Sequence, residues 1–257
     1  MRYVSADPPD SMTAHLLGTG SANAGPSRTT TMLAVEHDGR TVLVDCGGDA
    51  VQRLEVSGLD PVALDAVILT HEHPDHIAGF PLLIEKMWLQ GRRAPIQIYG
   101  PAPTLDKAQA LFAVFNTTKW DGLPERVYHP VALAPDTEVL RLGALSITAT
   151  PVDHPVPTIG LRFEAGGAVL AYSCDTAVSD AVVALADGAD VLIHEGTGSL
   201  EGVHSSPEEA AGVAARSGAG RLVLVHAPHD ASDDGLAEAR AIFGATTWGH
   251  DGDRIDL

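Results

Sequence analysis

The sequence predicts an α/β protein in which two mixed β-sheets pack face to face with helices on the outside. Three observations carry that expectation. Strand and helix signals alternate along the chain. Early hairpin signals supply antiparallel pairs, ahead of strand–helix units that supply parallel ones. A chain of 257 residues with 45% apolar content can bury a full core, which predicts one domain over residues 1–257.

Taken in order, short apolar runs between polar flanks predict strands at 14–18, 32–37 and 41–45. Asp38-Gly39 joins the last two and suits a two-residue hairpin turn. A helix is expected at 49–57. The run Asp65-Ala66-Val67-Ile68-Leu69 predicts a buried strand over 66–70, followed by a helix at 77–90, a strand at 96–99 and a helix at 105–115. Strands follow at 139–142, 146–150, 159–163 and 169–173, with Gly166-Gly167 turning the last pair. A helix at 178–186 leads to a strand at 191–194, and a helix at 207–217 leads to a strand at 222–226. A helix at 233–243 comes last. The helix at 207–217 has a full set of end signals. Ser206 is its N-cap, Pro207 its first residue, Glu209 the partner in a capping box and Gly218 its stop. Aromatics are scarce, so Ala, Val, Leu and Gly must fill the core.

The formal net charge is −18, Asp outnumbers Glu by 22 to 12, and Lys occurs three times. Such a surface repels nucleic-acid phosphates unless it carries a local basic patch. The adjacent pair Arg92-Arg93 follows a helix and suits the negative end of its dipole. The Asp-rich, Lys-poor balance also fits a high-salt habitat, where screening makes charge silent about substrate. No run of 18 apolar residues is present, so no membrane-spanning helix is expected. Met1 to Ser11 is polar with two prolines and has no apolar h-region, so no signal peptide is expected. Cys46 and Cys174 cannot build a disulfide framework and read as buried, inert thiols. A cytoplasmic location fits this composition.

The chemistry is concentrated in His71-Glu72-His73-Pro74-Asp75-His76, which follows the apolar strand at 66–70. Three imidazoles and a carboxylate in six residues, leaving a strand end as a loop, can converge on metal. His71 and His73 suit one ion, and Asp75 and His76 point toward a second. Imidazole and carboxylate suit Zn²⁺, with Mn²⁺ or Fe²⁺ as alternatives.

This H-x-H-x-D-H pattern after a buried strand resembles the signature of the metallo-β-lactamase-fold hydrolases, and the resemblance covers nearly the whole chain. It implies the four-layer αββα sandwich of that fold. It also implies the remaining ligands, each after a strand: His154, Asp175 and His226. Within the superfamily the chain is most similar to the ribonuclease Z branch. His15-Leu16-Leu17-Gly18-Thr19-Gly20-Ser21-Ala22 resembles that branch's first strand and glycine turn, and Asp45-Cys46-Gly47-Gly48 its acidic motif. His194-Glu195-Gly196-Thr197 resembles its His-Glu-Ala-Thr segment, and His204-Ser205-Ser206 its His-Ser-Thr segment. One feature of the tRNA-processing members is missing. Only twenty residues separate His154 from Asp175, and they read as a plain hairpin rather than a tRNA-binding arm. The segment from 100 to 130 reads as one helix and a loop.

The resemblance implies a dinuclear zinc hydrolase that cleaves phosphodiester bonds with a metal-bridging hydroxide. One Zn²⁺ would be held by His71, His73 and His154, the other by Asp75, His76 and His226, with Asp175 bridging. Asp75, His204 and Glu195 are the catalytic candidates. A carboxylate beside an imidazole raises its pKa and fixes its tautomer, which would let His204 protonate a leaving oxygen. Asp45 is expected to orient a ligand histidine, to cap the helix at 49–57, or both. The substrate is expected to be a small or cyclic phosphodiester or an RNA 3′ end. The alternative on the same fold is hydrolysis of a thioester, lactone or other carboxylic ester. Relatives often dimerise, which leaves open a homodimer through the exposed early helices. His194 reads as a strand-end or core histidine, His229 as ambiguous, and His15, His37, His129 and His250 as structural or surface residues. Gly18-Thr19-Gly20-Ser21 reads as a tight turn whose amides could face a phosphate. Phe112, Phe115, Trp120 and Trp88 could wall a base-stacking site, although helix core is the expectation for the two phenylalanines.

Overall fold

The computed structural model describes residues 11–231 and 233–257. In chain order the first half holds β1 (Met12–Gly18), β2 (Met32–His37), β3 (Arg40–Val44), α1 (Ala50–Val56), β4 (Ala66–Ile68), α2 (Pro74–Ile77), α3 (Phe80–Leu89), β5 (Ile96–Gly100), α4 (Ala102–Ala113) and β6 (Arg126–Pro130). The second half holds β7 (Thr137–Leu142), β8 (Leu145–Pro151), β9 (Ile159–Ala165), β10 (Ala168–Tyr172), α5 (Asp180–Leu185), β11 (Val191–Glu195), α6 (Pro207–Ser217), β12 (Leu222–Val225), α7 (Asp233–Ile242), β13 (Thr246–Trp248) and β14 (Arg254–Asp256).

Among the described residues these strands form two seven-stranded mixed sheets, β14-β1-β2-β3-β4-β5-β6 and β13-β12-β11-β10-β9-β8-β7. Side chains alternate between faces along each strand, so each sheet buries both sides. Leu16, Val44, Ile68, Leu161, Tyr172 and Ile193 meet between the sheets. Leu43, Val67 and Ile98 face outward under α1, α3 and α4, where Leu54, Phe80 and Leu105 cover them. Leu192, Leu222 and Leu224 do the same under the helices of the second half, against Val182, Val213 and Ala239. The result is the expected αββα sandwich. No helix among the described residues is long and apolar enough to cross a membrane.

Turn and cap chemistry appear where expected. Asp38 (φ 48°) and Gly39 (φ 69°) make the β2–β3 hairpin, and Gly166 (φ 59°) and Gly167 (φ 87°) make the β9–β10 hairpin. The latter leaves no arm between His154 and Asp175. Ser206 and Glu209 form the capping box of α6, and Gly218 closes it in the left-handed conformation.

Several expectations need correction. The helix expected at 77–90 is two helices, and the first begins earlier, with Pro74 in its first turn. Pro81 lacks an N–H and its ring excludes the carbonyl four residues back, so the chain breaks at Ala78-Gly79. Residues 100–130 hold a strand, β6, besides α4 and a loop. β6, β13 and β14 carry weak sequence signals because they are edge or near-edge pieces of three to five residues with half-exposed side chains. Asp49, not Asp45, caps α1. The amides of Gly20 and Ser21 donate to the carbonyls of Thr29 and Ala227, so they are not available to a phosphate. The polar N-terminal segment lies, apart from Ser11, outside the described residues.

Candidate metal centre

The C-terminal ends of strands from both sheets meet along one rim. β3 delivers Asp45, and β4 delivers the loop His71 to His76. β8 delivers His154, β10 Asp175, β11 Glu195 and β12 His226. Strand ends are where a sheet's side chains escape the hydrogen-bonded ladder and converge. Here the backbone is also bent to aim them. Asp45 (φ 61°), Cys174 (φ 56°) and His226 (φ 55°) occupy the left-handed region, which costs a non-glycine residue of order 1 kcal/mol or more and clusters at functional sites. The acidic motif packs directly on the ligand loop. A Cβ on Gly47 would lie 1.7 Å from the Asp75 carbonyl oxygen, and one on Gly79 2.1 Å from that of Gly48. Only hydrogen fits at either place.

All seven sequence-predicted metal ligands arrive at this rim, in two overlapping donor groups: His71, His73, His154 and Asp175, and Asp75, His76, Asp175 and His226. In the first, His73 Nδ1 lies 3.1 Å from His71 Nε2 and 3.2 Å from His154 Nε2. Tetrahedral zinc with Zn–N near 2.0–2.1 Å separates two ligand nitrogens by about 3.3 Å, so this spacing fits. In the second, His226 Nε2 lies 3.3 Å from both Asp75 Oδ2 and Asp175 Oδ2, and His76 Nε2 lies 3.6 and 3.5 Å from the same two oxygens. Asp175 Oδ2 is also 3.8 Å from His71 Nε2, placing it between the groups.

The outward nitrogens explain why the inward ones are free. His76 Nδ1 meets Asp45 Oδ2 at 2.8 Å, and His154 Nδ1 donates to the Val203 carbonyl at 2.9 Å. Thr70 Oγ1 donates to Asp45, so it accepts from His71 Nδ1. Thr197 Oγ1 donates to the His226 carbonyl at 3.0 Å, so at 2.6 Å from His226 Nδ1 it accepts. Each contact puts a proton on Nδ1 and turns Nε2 toward the cluster. At His76 burial would lower the pKa, but Asp175 and Asp45 outweigh it and raise it well above its ordinary value, so a metal there would displace the Nε2 proton. The sequence reading missed Thr197, Thr70 and the Val203 carbonyl. Thr197 had one signal, its place two residues after Glu195.

Electrostatics supports a cation here. Burial lowers His71 and His154, keeping them neutral as ligands must be. Burial would raise Asp175, yet His226 and His76 hold its carboxyl well below the ordinary range. His76 Nε2 and Asp175 Oδ1 are buried without a hydrogen-bond partner. Orphaned polar atoms in a dry pocket are costly unless something binds them. The donor set, its spacing and these orphans fit divalent metal.

Glu195 and His204 stand beside the second group. Glu195, 1% exposed, accepts from the Thr176 amide, from the Thr197 amide and, at 2.8 Å, from His204 Nδ1. Burial lowers His204, but the hydrogen bond and charge of Glu195 outweigh it and raise the imidazole above its ordinary pKa. Its ring centre is 5.5 Å from those of His154 and His226. Asp45 accepts from Thr70 and faces His76, which is the orienting role and not the cap. His194 is buried, with Nδ1 donating to the Glu195 carbonyl but Nε2 unpartnered. His229 is exposed and joins neither group. His15, His37, His129 and His250 contact Glu36, the Ser11 carbonyl, Gln97 and Asp253, away from the rim. Both thiols are buried, and burial raises their pKa well above normal.

Comparison with known proteins agrees with this architecture. The beta-lactamase superfamily domain matches residues 40–227. The ribonuclease Z of Mycobacterium marinum is 34% identical over 239 residues, spanning 82% of this chain and 84% of that protein. The metallo-beta-lactamase fold protein YhfI from Bacillus subtilis superposes with a TM-score of 0.81 at 27% identity, over 96% of this chain and all of that one (100%). Human tRNase Z, short form, superposes with a TM-score of 0.78 at 25% identity, over 95% of this chain and 98% of that one. This chain belongs to the beta-lactamase superfamily, as a metal-dependent hydrolase of the metallo-β-lactamase fold similar to ribonuclease Z.

Proposed function

We propose that this protein is a cytoplasmic phosphodiesterase that uses two zinc ions, acting as a single hydrolase domain over residues 1–257. The observation that carries the reading is the His204–Glu195 pair beside two donor groups that share Asp175. Ester and thioester hydrolysis has less need of an imidazolium held ready for a poor leaving group. One ion is assigned to His71, His73 and His154, the other to Asp75, His76 and His226, with Asp175 bridging. Zinc is favoured over Mn²⁺ or Fe²⁺ by the five-imidazole donor set. Bound there, the metal supplies a Lewis acid for a phosphoryl oxygen and a water acidic enough to attack at neutral pH.

The chain's own residues handle the protons. Asp75, with Oδ2 in the second donor group, has its other oxygen to receive the proton released as water attacks phosphorus. Glu195 fixes the His204 proton on Nδ1 and favours the imidazolium, so Nε2–H can be given to the departing alkoxide. Buried Asp45 and Thr70 and half-buried Thr197 hold the imidazoles in the required tautomers. The substrate is a small or cyclic phosphodiester or an RNA 3′ end, and similarity to ribonuclease Z favours RNA.

The test is a paired assay on metal-replete protein at low and high salt. One arm uses bis-p-nitrophenyl phosphate and a cyclic nucleotide, the other a precursor tRNA with a 3′ trailer. Cleavage in either arm supports the phosphodiesterase and assigns its substrate class. Turnover of thioesters or lactones alone overturns it.

A further inference from the structure

All three lysines of this acidic chain, Lys86, Lys107 and Lys119, fall within residues 86–126, together with Arg92, Arg93 and Arg126. Against these six stand three acids, Asp106, Asp121 and Glu125. The segment is locally positive on a molecule of net charge −18. Two of the six are paired with carboxylates, Lys86 with Asp49 and Lys107 with Glu72, while Arg92 and Arg93 donate to backbone carbonyls. Arg126 instead lies over the Phe112 ring, 4.4 Å from its centre, and donates to the Pro124 carbonyl. Neither Arg126 nor exposed Lys119 pairs with a carboxylate among the described residues.

Aromatic surface lies beside these cations. Phe112 is core, as expected, but Phe115 is 54% exposed because α4 ends at Ala113 and the chain turns away before Phe115 can reach the sheet. Three adjoining depressions run from it to the ligand loop, at Glu72 and Pro74. The first, about 470 Å³, runs from Glu72 and Pro74 of the ligand loop past Lys107. The second, about 330 Å³, shares Ala78 and Leu111 with the first. The third, about 500 Å³, shares Phe112 and Phe115 with the second and ends at Thr118, Arg126 and Tyr128. Lys107 bonds Glu72, between two metal-ligand candidates. From Lys107 to Ala113 the helix advances about 9 Å at 1.5 Å per residue.

We propose that this track is a subsite for single-stranded RNA, in which Phe115 stacks a base and Lys119 and Arg126 meet the phosphates of a strand leading to the metal centre. A base-tolerant aromatic face with unpaired cations is the chemistry such strands require. It supplies a grip where the described residues hold no protruding arm. The inference rests on the phosphodiesterase reading for where the strand ends, and on the groove alone for where it lies.

The test uses metal-replete full-length protein and a fluorescent, phosphorothioate-linked hexaribonucleotide, read by anisotropy, with bis-p-nitrophenyl phosphate turnover measured on the same samples. Phe115→Ala with Lys119→Glu changes only exposed side chains. It should weaken hexamer binding at least tenfold and leave small-diester turnover within twofold of wild type. Arg126→Gln should reduce the salt slope of log affinity by about 0.7, one phosphate's share. Equal binding by wild type and variants, or no binding by wild type, overturns the subsite. So does adenosine monophosphate binding as tightly as the hexamer, or a loss of binding that tracks a change in oligomeric state by sedimentation. Loss of hexamer binding in the variants supports the subsite even if wild type fails to turn over the small diester, an outcome that would count only against the hydrolase reading.

Discussion

Replacing Thr197 by Val tests how the second donor group is prepared for metal. Val keeps the branched shape and removes one oxygen. That oxygen accepts from His226 Nδ1 at 2.6 Å and donates to the His226 carbonyl at 3.0 Å. Without it, the Nδ1–H has no acceptor. The metal-free protein has a way out: the proton moves to Nε2, where Asp75 Oδ2 and Asp175 Oδ2 both wait at 3.3 Å. That tautomer cannot bind metal, so the loss falls on metal binding more than on the fold. An unsatisfied buried donor costs about 1–3 kcal/mol, and about 1.4 kcal/mol is tenfold in affinity. Zinc at the second group should therefore weaken between about 5-fold and 150-fold. The first group, whose nitrogens are held by Thr70 and Val203, should be unaffected. Competition with a chromophoric chelator, which resolves two sites, is the assay, and Thr197→Ser should restore wild-type behaviour. Unchanged affinity at the weaker site, or an equal loss at both, would refute the tautomer reasoning.

Other expectations follow from the same geometry. His204→Ala should lower phosphodiester kcat by about 10²–10⁴-fold while zinc content by elemental analysis stays at the wild-type value; full activity would remove His204 as general acid. Because Glu195 raises His204, the acid form persists above the ordinary imidazole pKa near 6.5, and the rate should fall only above that pH. Glu195→Gln should move this basic limb downward, and an unmoved limb assigns it to another group. Gly79→Ala forces a methyl against the backbone oxygens of Gly48 and Cys46, so it should destabilise by about 1–3 kcal/mol, or a melting shift of roughly 2–12 °C in calorimetry; an unchanged melt would show that the loop yields. If two copies pair through the early helices, Val56 on α1 and Leu89 on α3, each 66% exposed, are the apolar contacts. Val56→Glu with Leu89→Glu should then leave only monomer in sedimentation, and a dimer surviving both changes places the contact elsewhere.

The sequence by itself determined the layered α/β plan, the two hairpin turns, the capped start of α6 and four of the seven donor candidates, His71, His73, Asp75 and His76; His154, Asp175 and His226 were legible only through the family resemblance. These depend on local signals: apolar runs between polar flanks, Asp-Gly and Gly-Gly pairs that allow positive φ, and histidines two or three residues apart after a buried strand. Glu195 and His204 were legible only as segments resembling a family, because nothing local shows that residues nine apart meet at 2.8 Å. Tertiary structure alone decided the rest. It broke one expected helix at Pro81, built β6, β13 and β14 by pairing them with strands already in place, and turned Phe115 out to solvent. It also settled which nitrogen of each imidazole faces inward. That choice belongs to Asp45, Thr70, Thr197 and the Val203 carbonyl, from different strand ends and loops. The physical reason is that a hydrogen bond has direction, and direction across 29 or 49 residues of chain is set by how the sheets pack.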